Sequence, residues 1–153
     1  MLNLVLTTNK IPAMTHVAID NVRQLEAAVL KVPQTKIPTD HVFHAGVYAR
    51  TIMIPAGVVL TGALIKKATL LILSGDAVVY VGDNAKEVLG YHVFAASANR
   101  KQAFVARSDT YLTMVFATDL QTVDEVEDAF TDEAEFLFSR KEDAVNNILV
   151  TGE

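Results

Sequence analysis

Apolar and polar positions along the chain change their period twice, and each period predicts a different kind of element. Between residues 22 and 32 apolar side chains recur every three or four positions, which is typical of one face of a helix. From Val42 to Phe116 short apolar runs alternate with polar positions and are separated by turns, as in β-strands. After residue 119 the helical period returns. The pattern therefore predicts a β domain with helical structure on either side of it.

The first predicted helix has a start signal and an end signal. Asp20 or Asn21 can cap it, because a side-chain oxygen at that position accepts a hydrogen bond from a free backbone amide. Pro33 ends it, since proline has no amide hydrogen to continue the helix. One apolar stripe runs along the helix, formed by Val22, Leu25, Ala28, Val29 and Val32. Residues 1–19, which contain Pro12, are predicted to be an extended arm.

Turns divide the β region into short strands. A tight hairpin is predicted at residues 74–76 and another at residues 82–85, because Gly and Asp favour turn conformations. Gly62 predicts a kink in the strand over residues 58–65. Short strands separated by frequent turns are typical of an antiparallel sandwich or barrel.

The tail combines acidic and apolar side chains. Thr122 and Glu125 form a capping box at the start of a helix, and a second helical segment is predicted after Thr131. Between residues 119 and 143 there are ten acidic and two basic residues. Pairs such as Glu127 and Asp128 are predicted to lie on a solvated face. The aromatic residues of the second segment predict that the tail docks on the barrel or on a neighbour.

The composition fits one globular domain. The chain has 153 residues, of which 51% are apolar, enough for a buried core. It has no cysteine, which excludes disulfides and thiolate metal sites. We expect no signal peptide and no membrane-spanning segment, because the apolar runs are short. The net charge of −5 includes no basic stripe, so nucleic acid is not an expected partner.

Residues 54–62, which read IPAGVVLTG, resemble the first motif of small cupin-like proteins of the bacteriophage-associated type. The hairpin at Gly75 and the barrel exit at residues 117–119 fit the same pattern. The resemblance implies a mainly β fold, an antiparallel cupin or jelly-roll barrel with a short N-terminal helix and an acidic helical C-terminal tail. The implied division is an arm (1–19), a barrel with its leading helix (20–118) and a tail (119–153).

The positions at which the cupin pattern places metal ligands carry other side chains here. They are Ile65, Ala68, Thr69, and Gln102 or Ala103. A cupin metal needs imidazole and carboxylate donors that converge on one point. The resemblance with these replacements implies that the barrel holds no metal and no cofactor. We expect its interior to be filled by Val, Ile, Leu and Phe.

The histidines are not expected to form a metal site. His41 and His44 are three residues apart, which places them on opposite faces of a strand, so each is expected to be solvated or hydrogen-bonded. His92 lies in an apolar strand, where a hydrogen-bonded barrel histidine is expected. His16 lies in the predicted arm.

A pocket for a small anion at the barrel mouth is the other candidate site. The residues that could line it are Tyr48, Arg50, Tyr80, Arg100 and Arg107, although cross-strand packing and surface charge are the favoured interpretation of this set. A metal-free ligand-binding barrel predicts a polar pocket that contains Tyr48, Arg50 or His92. An unfilled interior with two or more convergent polar groups would favour it.

The function expected from the resemblance is structural and non-enzymatic. The resemblance implies a phage head decoration or cement protein, and a barrel without ligand, an extended arm and a tail with apolar and acidic faces are compatible with that role. Such a protein would lie on the capsid exterior, form a homodimer or higher oligomer and bind a major capsid protein. Two alternatives stay open, both cytoplasmic. One is a metal-free small-molecule-binding or epimerase-like cupin enzyme, and the other is a phage-encoded regulator of a host factor.

Overall fold

The computed structural model describes residues 9–81 and 84–153. In chain order its elements are β1 (Lys10–Ile11), α1 (His16–Val29), β2 (Thr39–His44), β3 (Val47–Ile54), β4 (Val59–Thr61), β5 (Thr69–Val81), β6 (Asn84–Ala96), β7 (Ala103–Ala106), β8 (Thr110–Ala117), α2 (Val123–Phe130), two 3₁₀ turns (Ala134–Phe136 and Phe138–Arg140) and β9 (Asn146–Val150). Within these ranges no helix has the length and apolar character needed to span a bilayer.

The strands form one bent sheet in the order β1-β6-β5-β8-β3-β2-β9, and β7 pairs with both β5 and β4. Alternate side chains of β5 and β8, such as Leu71, Leu73 and Met114, join Leu60 and Phe104 of β4 and β7 in a single core. The prediction of a mainly β fold is confirmed. The prediction of a purely antiparallel sheet is wrong, because the two edge strands, β1 and β9, run parallel to their neighbours.

Helix α1 begins at His16, which is earlier than the sequence pattern predicts. Its N-cap is Thr15, whose Oγ1 accepts a hydrogen bond from the amide of Ala18 at 3.1 Å. The buried face consists of Ala18, Ile19 and Val22, so only the first residue of the predicted stripe is buried. The remainder of that stripe is exposed, except for the half-buried Val29.

The predicted arm is only partly extended. Residues 1–8 lie outside the described part of the chain. Ile11 in β1 and Met14 are buried, and residues 16–19 already belong to α1. The described part of the arm therefore packs on its own barrel, since Lys10 and Ile11 pair with the end of β6.

The predicted hairpin at residues 74–76 is wrong, because β5 continues through it as one strand. Gly75 faces Gly90 of β6, and it lies where β5 stops pairing with β8 and starts pairing with β7. Its φ of +154° and its closeness to Thr110 explain why a glycine is needed at this crossing. The turn predicted at residues 82–85 includes residues 82 and 83, which lie outside the described part.

Gly75→Ala is expected to lower the free energy of unfolding by about 2 kcal/mol, a typical cost of overpacking. An added Cβ would lie 2.5 Å from Oγ1 of Thr110 and 2.8 Å from its Cα, so the backbone would have to move. Gly62→Ala is the matched control, because its Cβ would meet only the Gln102 carbonyl oxygen at 3.5 Å. Urea unfolding of both variants measures the difference, and equal midpoints would contradict the argument.

The tail is helical only at α2. Thr122 caps it as predicted, since its Oγ1 accepts from the Glu125 amide and donates to the Glu125 carboxylate at 2.6 Å. The second predicted helix is wrong. Residues 134–140 form two short 3₁₀ turns with Leu137 extended between them, and β9 then pairs with β2. Residues 146–150 satisfy their backbone groups by pairing with the edge of β2.

Candidate site: a cavity inside the barrel

The barrel interior is not completely filled. A cavity of about 130 Å³ lies between the inner barrel wall and the segment at residues 136–138. Most of its wall is apolar and is formed by Ile52, Leu60, Ile65, Leu71, Phe104, Leu112, Met114, Phe130, Phe136, Leu137 and Phe138. The expectation of an interior packed solid with Val, Ile, Leu and Phe is therefore wrong. The 3₁₀ turns border the cavity, which is partly open to solvent, instead of continuing the core.

Two polar side chains reach this apolar cavity from one short stretch of chain. Ile65 forms an isolated β-bridge with Arg100, and the amide of Gly62 donates to the Gln102 carbonyl oxygen at 2.9 Å. These bonds hold residues 100–102 extended, and alternate residues of an extended chain point to the same side. Arg100 and Gln102 accordingly both line the cavity, whereas Lys101 between them binds Glu26 and Glu133.

Arg100 is a buried cation without a carboxylate. Its side chain is 1% exposed, and it donates to the carbonyl oxygens of Lys67 and Ser97 and to Oγ1 of Thr69. No carboxylate of residues 9–81 or 84–153 pairs with it. Burial lowers the pKa of Arg100 to about 10, which leaves the guanidinium charged at neutral pH. Four neutral acceptors, the fourth being Sδ of Met114 at 3.9 Å, orient the charge but do not neutralise it.

Gln102 contributes a side-chain donor that has no acceptor. It is 5% exposed, and its Nε2 has no hydrogen-bond partner in the described structure. A buried amide nitrogen without a partner costs on the order of 1–3 kcal/mol. Such groups are few in folded proteins, and each calls for an explanation. The cavity thus contains one unneutralised cation and one unused hydrogen-bond donor.

Arg50 also lines the cavity, but its charge is already neutralised. It donates to the Glu127 carboxylate at 2.7 Å and to Oγ of Ser139 at 3.1 Å. Glu127 is fully buried and also accepts from Ser139 and from Arg140 at 2.9 Å. The prediction that Glu127 lies on a solvated face is therefore wrong, because it is the anion that joins α2 to the barrel and to the second 3₁₀ turn.

A hydrogen-bonded chain runs from Arg50 through Tyr48 and His41 to the C-terminal strand. Nε2 of His41 donates to Oδ1 of Asn146 at 2.7 Å, so Nδ1 accepts from the Tyr48 hydroxyl at 2.7 Å. Burial lowers the pKa of His41 and raises the pKa of Tyr48. Both groups are therefore neutral at pH 7. They fasten β9 to the barrel and do not line the cavity.

The wild-type protein is expected to lose stability on acidification because of His41. Because its pKa is lowered in the folded state, the unfolded chain takes up the proton first, and stability falls as the pH drops below about 6.5. The loss is at most about 1.4 kcal/mol per pH unit. Urea unfolding at pH 7.5 and pH 5 should show a smaller drop for His41→Gln than for the wild type. Equal drops would mean that His41 does not cause the acid sensitivity.

The mouth of the cavity contains a second set of paired charges. Nζ of Lys101 lies 3.0 Å from carboxylate oxygens of both Glu26 and Glu133. Burial alone would raise the pKa of Glu133, but the Leu64 amide and Lys101 together hold it below its usual range. Glu26 is the one carboxylate among the lining residues, and Lys101 already engages it.

The sequence-predicted site residues lie in several places. Ile65 and Gln102 line the cavity, and Thr69 holds Arg100. Ala68 instead lines an open groove near Lys10 on another side of the barrel. His92 does not belong to the cavity, since its Nε2 bonds the carbonyl oxygen of Leu89 and its ring stacks on Phe94. No cluster of three metal-ligating side chains occurs in the part of the chain that the structure describes.

The residues predicted to line a pocket for a small anion fall into two groups. Arg50 and Arg100 line the cavity, and Tyr48 supports Arg50 from behind at 3.3 Å. Tyr80 is exposed, and Arg107 pairs on the surface with Asp76 and Glu87. The free amide of Gln102 was identified only as a lost ligand position. Gln102 lies two residues after Arg100, and on an extended segment this spacing indicates that both side chains point to the same side.

Comparison with known proteins finds no family model and no curated protein that matches this chain. Solved structures do match. A cupin superfamily protein from Desulfitobacterium hafniense is 16% identical over 61% of this chain and 87% of its own, with a TM-score of 0.47. The cupin domain of an XRE family transcriptional regulator from Enterobacter cloacae is 9% identical over 53% and 96%, with a TM-score of 0.42.

A cupin domain from Schizosaccharomyces pombe is 16% identical over 59% of this chain and 66% of its own, with a TM-score of 0.42. Each likeness concerns the cupin-like β fold alone. The ligand, the activity and the partners of this chain do not follow from any of them.

Proposed function

We propose that this protein binds a small organic carboxylate inside its barrel. The single observation that carries the proposal is the buried guanidinium of Arg100, which has no carboxylate partner in the described structure and lines the same cavity as the unpaired amide of Gln102. A carboxylate has two acceptor oxygens, so it can accept from both donors at once. The bound complex would be electrically neutral inside the barrel.

The energetics favour an anion over a neutral ligand. An uncompensated charge in a protein interior costs several kcal/mol, even after the surroundings relax. A folded protein tolerates this cost where the group has a role, and a ligand of opposite charge recovers it on binding. Hydrogen bonds to an ionised group contribute about 1.5–3 kcal/mol each, compared with about 1 kcal/mol for neutral pairs. Charge neutralisation should therefore dominate the affinity.

The walls indicate the rest of the ligand. The cavity of about 130 Å³ is close in size to the roughly 150 Å³ engineered cavity that holds a benzene molecule. Its lining residues are mostly aliphatic and aromatic, which suits a compact hydrocarbon body and not a sugar with many hydroxyls. The proposed ligand is thus a monocarboxylate with a small aromatic or branched aliphatic group.

The side chains support binding more than turnover. General acid–base catalysis needs a titratable group that can reach the bound molecule. Glu26 is the one carboxylate among the lining residues, and Lys101 holds it in an ion pair at 3.0 Å. His41 and Tyr48 are hydrogen-bonded to each other behind Arg50. A binding protein is therefore the function that this arrangement favours.

Titration calorimetry at pH 7.4 tests the proposal with two probes and their neutral counterparts. Benzoate and 3-methylbutanoate should bind, and benzamide and 3-methylbutanamide should bind at least about tenfold more weakly, a difference of about 1.4 kcal/mol. The amides match the acids in shape, but they lack the charge and carry an NH2 donor in place of one acceptor oxygen. The proposal fails if neither acid binds at about 10 mM, which corresponds to a binding free energy near 3 kcal/mol. It also fails if each amide binds as well as its acid.

A further inference from the structure

The outer face of the sheet formed by β6, β5, β8, β3, β2 and β9 is apolar across its whole width. Strand register places one residue from each of these six strands in a single row, and every member of the row is aliphatic: Ala95, Leu70, Val115, Ala49, Val42 and Leu149. The intervening residues point inward to the core, as Leu71, Met114 and Tyr48 do. The row therefore lies on the side opposite the ligand cavity.

The rows beside it are also poor in charge. The second row consists of Val93, Ile72, Thr113, Thr51, Asp40 and Asn147, and the third consists of Tyr91, Ser74, Tyr111 and Met53. Asp40 is the one ionisable residue among these three rows apart from the tyrosines, and its carboxylate accepts from Nδ2 of Asn147 at 2.8 Å. We call these three rows the outer face.

The outer face is exposed in the single chain. Leu70 is 48% exposed, Tyr91 68% and Tyr111 56%. Helix α1 packs elsewhere, through Ala18, Ile19 and Val22 against Leu64 and Ala103. Helix α2 contributes Val126 and Phe130 to the inner core. Large contiguous apolar patches are uncommon on monomers and mark interaction sites.

The dimensions of the outer face suit a protein interface. Six strands about 4.8 Å apart span about 24 Å, and three rows about 7 Å apart cover about 20 Å along the strands once side chains are included. The flat area is about 500 Å². Two such faces would bury about 1,000 Å² in total, which is the lower bound for a specific interface.

We propose that the outer face joins two copies of this chain in a back-to-back dimer. A second copy fits because the face carries almost no charge, so a two-fold contact sets no row of like charges against itself, whereas the chain as a whole has a net charge of −5. Two such sheets pack face to face about 10 Å apart, with their strands about 30° from parallel. The two ligand cavities then lie on the outer sides of the dimer.

Sedimentation velocity tests the dimer with matched lysine variants. The wild type should sediment as a dimer at about 100 μM, a high concentration because an interface near the lower size bound is weaker than a standard one. Leu70→Lys should sediment as a monomer with an unchanged circular dichroism spectrum, because a lysine ammonium within the contact loses its hydration. Val17→Lys adds the same charge at a 66% exposed site on α1 and should remain dimeric.

A monomeric wild type overturns the proposal and assigns the outer face to a different protein partner. A Leu70→Lys variant that remains dimeric also overturns it. If Leu70→Lys does not fold, the sedimentation of Tyr91→Lys tests the interface in its place. Tyr91 is more exposed than Leu70, so its replacement should disturb the fold less. A monomeric Tyr91→Lys supports the interface, and a dimeric one contradicts it. Neither sedimentation result depends on whether the cavity binds a carboxylate, so the two proposals can fail separately.

Discussion

Glu127→Gln should lower the free energy of unfolding by about 3 kcal/mol, the low end of the range for breaking a buried ion pair. Glu127 is fully buried and accepts from Arg50, Ser139 and Arg140. Removal of its charge leaves Arg50, whose side chain is 11% exposed, without an anion. The low end applies because Arg140 is 25% exposed and water can partly solvate it.

Asp128→Asn is the matched control for this prediction. It removes the same charge from the next residue of α2, and Asp128 pairs with the same Arg140 at 3.0 Å, but its own side chain is 66% exposed. Surface pairs of this kind contribute about 0–1 kcal/mol. Urea unfolding at pH 7 should therefore separate the two variants by about 2 kcal/mol. Similar losses in both would show that Glu127 does not organise the tail.

Arg100→Met should weaken benzoate binding by about 100-fold, equivalent to about 2.7 kcal/mol, while the fold persists. Methionine keeps the unbranched stem of the side chain and removes the charge that the carboxylate is proposed to meet. The lost hydrogen bonds to Lys67, Ser97 and Thr69 destabilise the fold by about 1 kcal/mol each. Release from the desolvation penalty of a buried cation offsets this loss, so stability should change by about 1 kcal/mol or less.

Arg107→Met controls for the change in net charge. Arg107 is an exposed arginine that pairs with Asp76 and Glu87 on the surface, away from the cavity. Its variant should bind benzoate as the wild type does in calorimetry. If Arg107→Met and Arg100→Met weaken binding equally, long-range charge and not the cavity controls the affinity.

The β character of the chain was predictable because alternation is a local signal. The edge strands were less predictable. Asn146–Val150 lacks the alternation of a strand with one buried face, and its pairing with β2 depends on contacts more than a hundred residues away. Gly75 was interpreted as a turn for a local reason, although a tertiary contact with Thr110 sets its conformation.

The cavity shows the same limit of local signals. Arg50 and Arg100 were candidates for an anion site from the sequence, but surface charge was the favoured interpretation. The burial of Arg100 depends on the bridge to Ile65 and on the carbonyls of Lys67 and Ser97, none of which has a sequence signature. Glu127 was misassigned because its neighbours in α2 are exposed acids, and only the two arginines that meet it distinguish it from them.

The virion role expected from the family resemblance stays a prediction, as do the capsid partner and the bacteriophage origin. Its test is mass spectrometry of purified particles from a phage that encodes this chain. Copy numbers comparable to those of a capsid subunit would support a decoration or cement protein, and absence from particles would contradict it. Carboxylate binding and a virion role are separate properties, so this result does not decide the function of the cavity.

The most direct test of the central claim is to observe the two proposed donors in solution by ¹⁵N NMR. Spectra of the Gln102 side-chain amide and the Arg100 guanidinium are recorded during titration with benzoate and with benzamide. Carboxylate binding in the cavity predicts that both side-chain signals shift with benzoate, saturate together and respond little to benzamide. Signals from Arg100 and Gln102 that stay unchanged while benzoate binds would place the ligand elsewhere and contradict the account.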